Sequence, residues 1–224
     1  MKEKEQFALD LGHRSAYGRE DFYVSLSNQE AVAWLDKWPA WPAPTLVIHG
    51  PTGSGKTHLS HVWKKETGAH DVSPENLHGF LSAAPSEKFC VAIDDAHRLI
   101  GDKETESNVF HLYNIAREKG GYLLLTADTS PATWPFSLPD MKSRMLAAPS
   151  AALLPPDDDL MAVLLTKAFS DRQIFVSQDV VKFVLARVER SFLALHALAD
   201  AIDRKALAEK RPVTIPLVQE LLKE

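Results

Sequence analysis

The stretch HGPTGSGKTH, from His49 to His58, constrains the fold of this chain more than any other. It follows TLVIH, a short and nearly all-apolar run, and precedes THLSHVWKKET, which has helical spacing. Gly50, Gly55, Lys56 and Thr57 fall at the spacing G-x-x-x-x-G-K-[ST]. Between a buried strand and a helix, that spacing defines a phosphate-binding loop. Glycines let the backbone bend so that successive N–H groups turn inward on a polyphosphate. The helix start adds the positive end of its dipole. Gly50, Pro51, Thr52, Gly53, Ser54 and Gly55 are therefore read as the cradle, with His58 beside it. Lys56 is expected to reach the β- and γ-phosphates, and Thr57 to present its hydroxyl to Mg²⁺.

A loop of this kind needs an acidic site at the end of a neighbouring buried strand. FCVAIDDAHRL supplies one, apolar residues leading to Asp94 and Asp95. Asp94 is the candidate Mg²⁺ carboxylate. Asp95 stands where a catalytic carboxylate would polarise an attacking water. Aspartate is one methylene shorter than glutamate, so intrinsic hydrolysis is expected to be slow. A third strand, YLLLT, runs on to Asp128. Asp128 is a candidate sensor of the γ-phosphate; a loop-capping role is the alternative.

Strands alternate with helices up to residue 155, which argues for a parallel α/β sheet. Beyond LLPPDDD no strong strand signal remains and four helices are expected, one of them capped by Ser177. The fold class is thus α/β, a parallel-sheet P-loop unit followed by a small all-α lid. The expected division is an arm at 1–19, a nucleotide-binding unit at 20–155 and a lid at 156–224.

The formal net charge of −5 disfavours broad, sequence-independent tracking of DNA, which needs a basic face. One cysteine, Cys90, allows no internal disulfide and is expected to be a small buried strand residue. No run approaches the length of a membrane span, and the N-terminus lacks an apolar signal core. A cytoplasmic location follows as the expectation. His58 and His61 lack neighbours that would complete a zinc set. Trp34, Trp38 and Trp41 are expected to pack a helix on the sheet, a partner surface being the alternative.

The P-loop, the Asp94–Asp95 pair, the LTAD strand end and the helical C-terminal part together resemble the AAA+ ATPases of the DnaA clade, and among them the Hda-type regulatory inactivators of DnaA. The resemblance covers essentially the whole chain. IDDAHRL is similar to the acidic motif of the clade. SDRQIFVSQDVVKFVLARVERS and KRPVTIPLVQELL are similar to the Hda-type lid. EDFYVSLSNQEAV resembles the segment that helps enclose adenine, which implies a binding role for Val24.

The resemblance also implies partners. Gln6, Phe7, Leu9 and Leu11 lie in QFALDL, which is similar to the hexapeptide by which bacterial proteins bind the DNA polymerase sliding clamp. Gln6 offers an amide donor and acceptor, and two leucines can fill an apolar pocket. LPDMKSRMLAAP resembles the segment carrying the arginine that reaches a neighbouring subunit's nucleotide, which makes Arg144 the candidate. The lid arginine of DnaA proteins falls at about Leu193 or Ala194, with Arg190 a turn earlier. A DNA-binding domain after Glu224 is not expected.

The implied function is an adaptor that binds ATP or ADP with Mg²⁺, docks on the clamp and promotes hydrolysis of ATP held by DnaA, with a homodimer possible and no strong direct DNA binding. A helicase-loader-type ATPase and a non-catalytic, nucleotide-responsive scaffold are the rival readings.

Overall fold

A computed structural model describes residues 23–83 and 87–222 of the chain. Five parallel strands form one sheet in the order β2-β3-β4-β1-β5. They are β1 (Thr45–His49), β2 (His70–Asp71), β3 (Cys90–Ile93), β4 (Tyr122–Ala127) and β5 (Ser150–Ala152). The three apolar runs read from sequence are the three central strands. The two edge strands carried no comparable signal.

The central strands are buried on both faces, and their side chains alternate between two cores. Val47, Val91, Ile93, Leu123 and Leu125 enter one core, which α3 (Pro74–Ala83), α4 (Lys103–Lys119) and α5 (Pro139–Ala147) cover with Leu77, Leu112, Met141 and Met145. Leu46, Ile48, Ala92 and Leu124 enter the other, covered by Leu35 of α1 (Gln29–Asp36) and by Leu59 and Trp63 of α2 (Lys56–Thr67). Trp41 stacks on Trp63 with ring centroids 5.6 Å apart. Trp34 and Trp38 pack at the margin of that core. These tryptophans therefore seat helices on the sheet, as expected. Cys90 is buried in β3, where desolvation raises the pKa of its thiol.

Gly68 and Gly120 end α2 and α4 in the left-handed conformation. The start of α4 is set at Lys103 by Asp102, which caps it by accepting the Thr105 N–H at 2.9 Å. Glu106, one turn into α4, is fully buried and carboxylate-bearing. It accepts the N–H groups of Ser137 and Leu138, both at 2.8 Å, and that of Gly101 at 3.2 Å. One side chain thereby fixes the entrance of α5, the helix that carries Arg144. Glu106→Gln turns an amide N–H₂ towards one set of these donors. An expected loss of about 2–3 kcal/mol, read by urea denaturation, follows from leaving buried N–H groups unpaired.

The C-terminal part is helical throughout: α6 (Asp158–Asp171), α7 (Gln178–Leu185), α8 (Phe192–Glu209) and α9 (Ile215–Leu221). Their starts are set by local hydrogen bonds. Asp157 accepts the Leu160 N–H at 2.8 Å, Ser177 that of Val180 at 3.4 Å and Ser191 that of Ala194 at 3.1 Å. The apolar faces of all four converge on a separate core containing Phe169, Val184, Leu195, Ile202 and Leu217.

Candidate nucleotide site

The strand order brings the sequence motifs together. β1 lies beside β4, with His49 opposite Ala127, and β4 lies beside β3, with Leu125 opposite Ile93. Loops leaving the C-terminal ends of these three neighbours carry the glycine-rich turn, Asp128 and Asp94 respectively. Ligands of open α/β sheets settle at this edge.

Lys56, the first residue of α2, is 7% exposed. Its ammonium donates to the carbonyls of Gly50 at 2.7 Å and Pro51 at 3.0 Å, and to Asp128 Oδ1 at 3.0 Å. One cation thus joins both ends of the loop to the end of β4. The hydrogen bond from Lys56 holds the Asp128 carboxyl below the usual aspartate range. A lowered pKa means that the pair contributes stability above the ordinary carboxylate range and loses it as the pH falls through the depressed value. The pair is therefore intact at neutral pH. His97 Nε2 lies 3.8 Å from the other oxygen, Asp128 Oδ2.

Asp94 is oriented from β4. Thr126, buried in the strand, donates its hydroxyl to Asp94 Oδ1 at 2.9 Å. The same hydroxyl oxygen accepts the Asp95 N–H at 3.2 Å. Asp95 itself sits at φ 54°, which turns the chain sharply after the strand. Its carboxylate pairs with Arg98 at 3.5 Å and is about half-exposed.

The residues fit a phosphate and a divalent cation. The Ser54 hydroxyl is buried in the loop with no partner. Thr57 is exposed at the helix start, and Asp94 is held with its carboxylate fixed by Thr126. Pro51, Thr52 and Gly53 form the outer turn of the cradle, with Thr52 exposed.

Beside the cradle lies a cavity of about 500 Å³ between the loop helix and the lid. His58 and Leu59 of α2, Leu164 and Ala168 of α6 and Phe192 of α8 line it, together with Asn28. A largely apolar slot next to a phosphate cradle has the shape and chemistry for a base. Val24 packs at the edge of the core under α1; from that segment it is Asn28 that reaches the cavity. Arg144 is exposed on α5 and makes no ion pair among the described residues. Gln6, Phe7, Leu9 and Leu11 lie outside the described residues.

Thr126, His97 and Phe192 were not singled out from sequence. Thr126 did carry a signal: a hydroxyl inside an otherwise apolar strand that is buried on both faces needs a polar partner there. Phe192 carried none beyond its place on the apolar face of α8.

The three-layer α/β sandwich, the P-loop cradle and the helical lid define an AAA+ protein. Residues 157–222 match the family described as "Hda, lid domain". A protein of Haemophilus influenzae with no assigned function is 30% identical over 188 residues, spanning 80% of this chain and 81% of that one. In fold, the chain is similar to domain III of the replication initiation protein DnaA from Thermotoga maritima, with a TM-score of 0.75 at 21% identity over 90% of this chain and 93% of that one. It is also similar to AMPPCP-bound DnaA from Aquifex aeolicus, with a TM-score of 0.68 at 15% identity over 84% of this chain and 65% of that one. The chain belongs to the Hda-type family of DnaA-clade AAA+ proteins. Among the described residues no helix is long and apolar enough to cross a membrane.

Proposed function

We propose that this protein is a cytoplasmic adaptor that binds adenine nucleotide with Mg²⁺, docks on the DNA polymerase sliding clamp, and promotes hydrolysis of ATP held by DnaA. The observation that carries the nucleotide reading is the convergence of Lys56, Asp128 and a Thr126-oriented Asp94 at one sheet edge. The AMPPCP carried by a DnaA of the same fold supports it.

In this reading the Lys56 ammonium, already aimed across the cradle by two carbonyls, takes the phosphates as additional acceptors. Asp128 keeps that cation in place between ligands. Asp94 and Thr57 hold the metal, which supplies charge neutralisation at the β- and γ-phosphates. Asp95, occupied with Arg98, is a poor activator of water in this geometry, consistent with slow turnover of the protein's own nucleotide.

Arg144 is the group offered outward. Its guanidinium makes no ion pair among the described residues, and Glu106 holds the start of α5. A guanidinium delivered to a partner's active site stabilises charge on the transferred phosphoryl group. Gln6, Leu9 and Leu11 are proposed to bring the protein to clamp-loaded DNA, where tethering raises the local concentration and makes weak contacts sufficient. Pairing with DnaA uses the AAA+ surface, and a homodimer would use the same one.

The test measures ATP hydrolysis by DnaA in the presence of clamp-loaded DNA. Stimulation by the wild-type protein, reduced at least about tenfold in a Gln6/Leu9/Leu11 triple-alanine variant, is the expected result. No stimulation by the wild type rules the reading out. Transfer of the stimulating effect to a replicative helicase would favour the loader reading instead.

A further inference from the structure

The start of α8 rests directly on the glycine-rich loop. The Phe192 N–H donates to the Gly53 carbonyl at 2.9 Å. Gly53 and Gly55 have φ of 78° and 97°, a region that disfavours any side chain. A Cβ on Gly53 would lie 2.7 Å from Ser191 Cβ, and one on Gly55 would lie 2.8 Å from the Phe192 ring. The two glycines thus serve a second purpose. Their Cα faces receive the lid, while the N–H groups of such a loop are turned to a phosphate.

The contact is uncharged. Arg190, the cation nearest to it in sequence, is more than half exposed and pairs with Asp158 at 2.9 Å. Leu193 on the other side is 70% exposed. Phe192 also lines the cavity beside the cradle. A nucleotide with its base in that cavity and its phosphates in the loop would have this ring at the junction of the two.

We propose that Phe192 is the gate for nucleotide release: the lid is latched to the P-loop by an aromatic ring on glycine, and a bound nucleotide leaves when that contact opens. This rests on the reading of the loop as a nucleotide site. An uncharged latch acts on the diphosphate and the triphosphate alike, in contrast to a lid cation, which would favour the triphosphate. Phe192 is only half-buried and lies outside the lid core, so its truncation leaves the fold intact.

The test is stopped-flow fluorescence on the full chain with a fluorescent ADP and a fluorescent non-hydrolysable ATP analogue. Phe192→Ala is expected to raise the dissociation rate of both by about tenfold, because an aromatic contact of this kind is worth that order of free energy. The melting temperature without nucleotide should stay close to that of the parent. Phe192→Leu should restore most of the slow release, and Arg190→Ala should release at the parental rate. Unchanged release from Phe192→Ala, an effect confined to the triphosphate, or equally fast release from Arg190→Ala overturns the proposal. Failure of the parent to bind either analogue overturns the nucleotide reading itself, and the gate with it.

Discussion

Lys56→Ala is expected to lose nucleotide binding, with the dissociation constant for ADP raised by about 30-fold to 1,000-fold. The size of the effect comes from the setting of the ammonium. It is buried and committed to three oxygens that meet at the cradle. Its removal leaves the Gly50 and Pro51 carbonyls and the Asp128 carboxylate facing the cradle with their acceptors unopposed. Phosphate oxygens would then meet three acceptor groups where they should meet a cation. Lys56→Met separates the two consequences: it keeps most of the aliphatic stem and removes only the charge. Both variants should bind poorly in calorimetric titration. Affinity within about threefold of the parent in both would refute the assignment of the cradle.

The second large effect concerns a residue that does little for its own fold. Arg144→Ala should leave nucleotide affinity and melting temperature unchanged, since the side chain is exposed and unpaired among the described residues. Stimulation of DnaA hydrolysis should fall by about 10³-fold or to the basal rate, whichever is reached first. Arg144→Lys should recover little of it, because an ammonium cannot reproduce the planar fork of the guanidinium. Full stimulation by Arg144→Ala would show that the protein acts by recruitment alone.

Much of this architecture was legible because buried parallel strands are chemically loud. TLVIH, FCVAI and YLLLT had to be central, since both of their faces needed cover. The edge strands were silent for the opposite reason. β2 is two exposed residues, and β5 is Ser-Ala-Ala, placed by pairing with β1 rather than by any preference of its own. Two helices of the α/β unit also escaped notice. In α3 the interior Gly79 breaks the pattern, although Pro74 behind Ser73 marks its start. In α5 the same signal, Pro139 after Leu138, marks the start of the helix that carries Arg144.

At the site, spacing revealed the residues whose chemistry is explicit, a lysine, a threonine and aspartates. It did not reveal those that act by position. Thr126 orients Asp94 from 32 residues away, and Phe192 meets Gly55 from the far end of the chain. Such contacts exist only after the sheet and lid have assembled. Where DnaA proteins carry a lid arginine this chain has Leu193 or Ala194; one or two residues earlier the Phe192 ring meets Gly55, and Arg190 pairs with Asp158.

The segment leaving the sheet for the lid is fastened twice before it departs. Leu153 donates its N–H to the His49 carbonyl at 2.7 Å, and Leu154 to that of Ser27 at 3.0 Å. Any swing of the helical part must then pivot beyond Leu154, where Pro155 and Pro156 hold φ nearly constant. A hinge so short and so stiff permits rotation about few axes. The C-terminal helices would travel along a narrow arc, like a door on one pin, and return to the same seat each time.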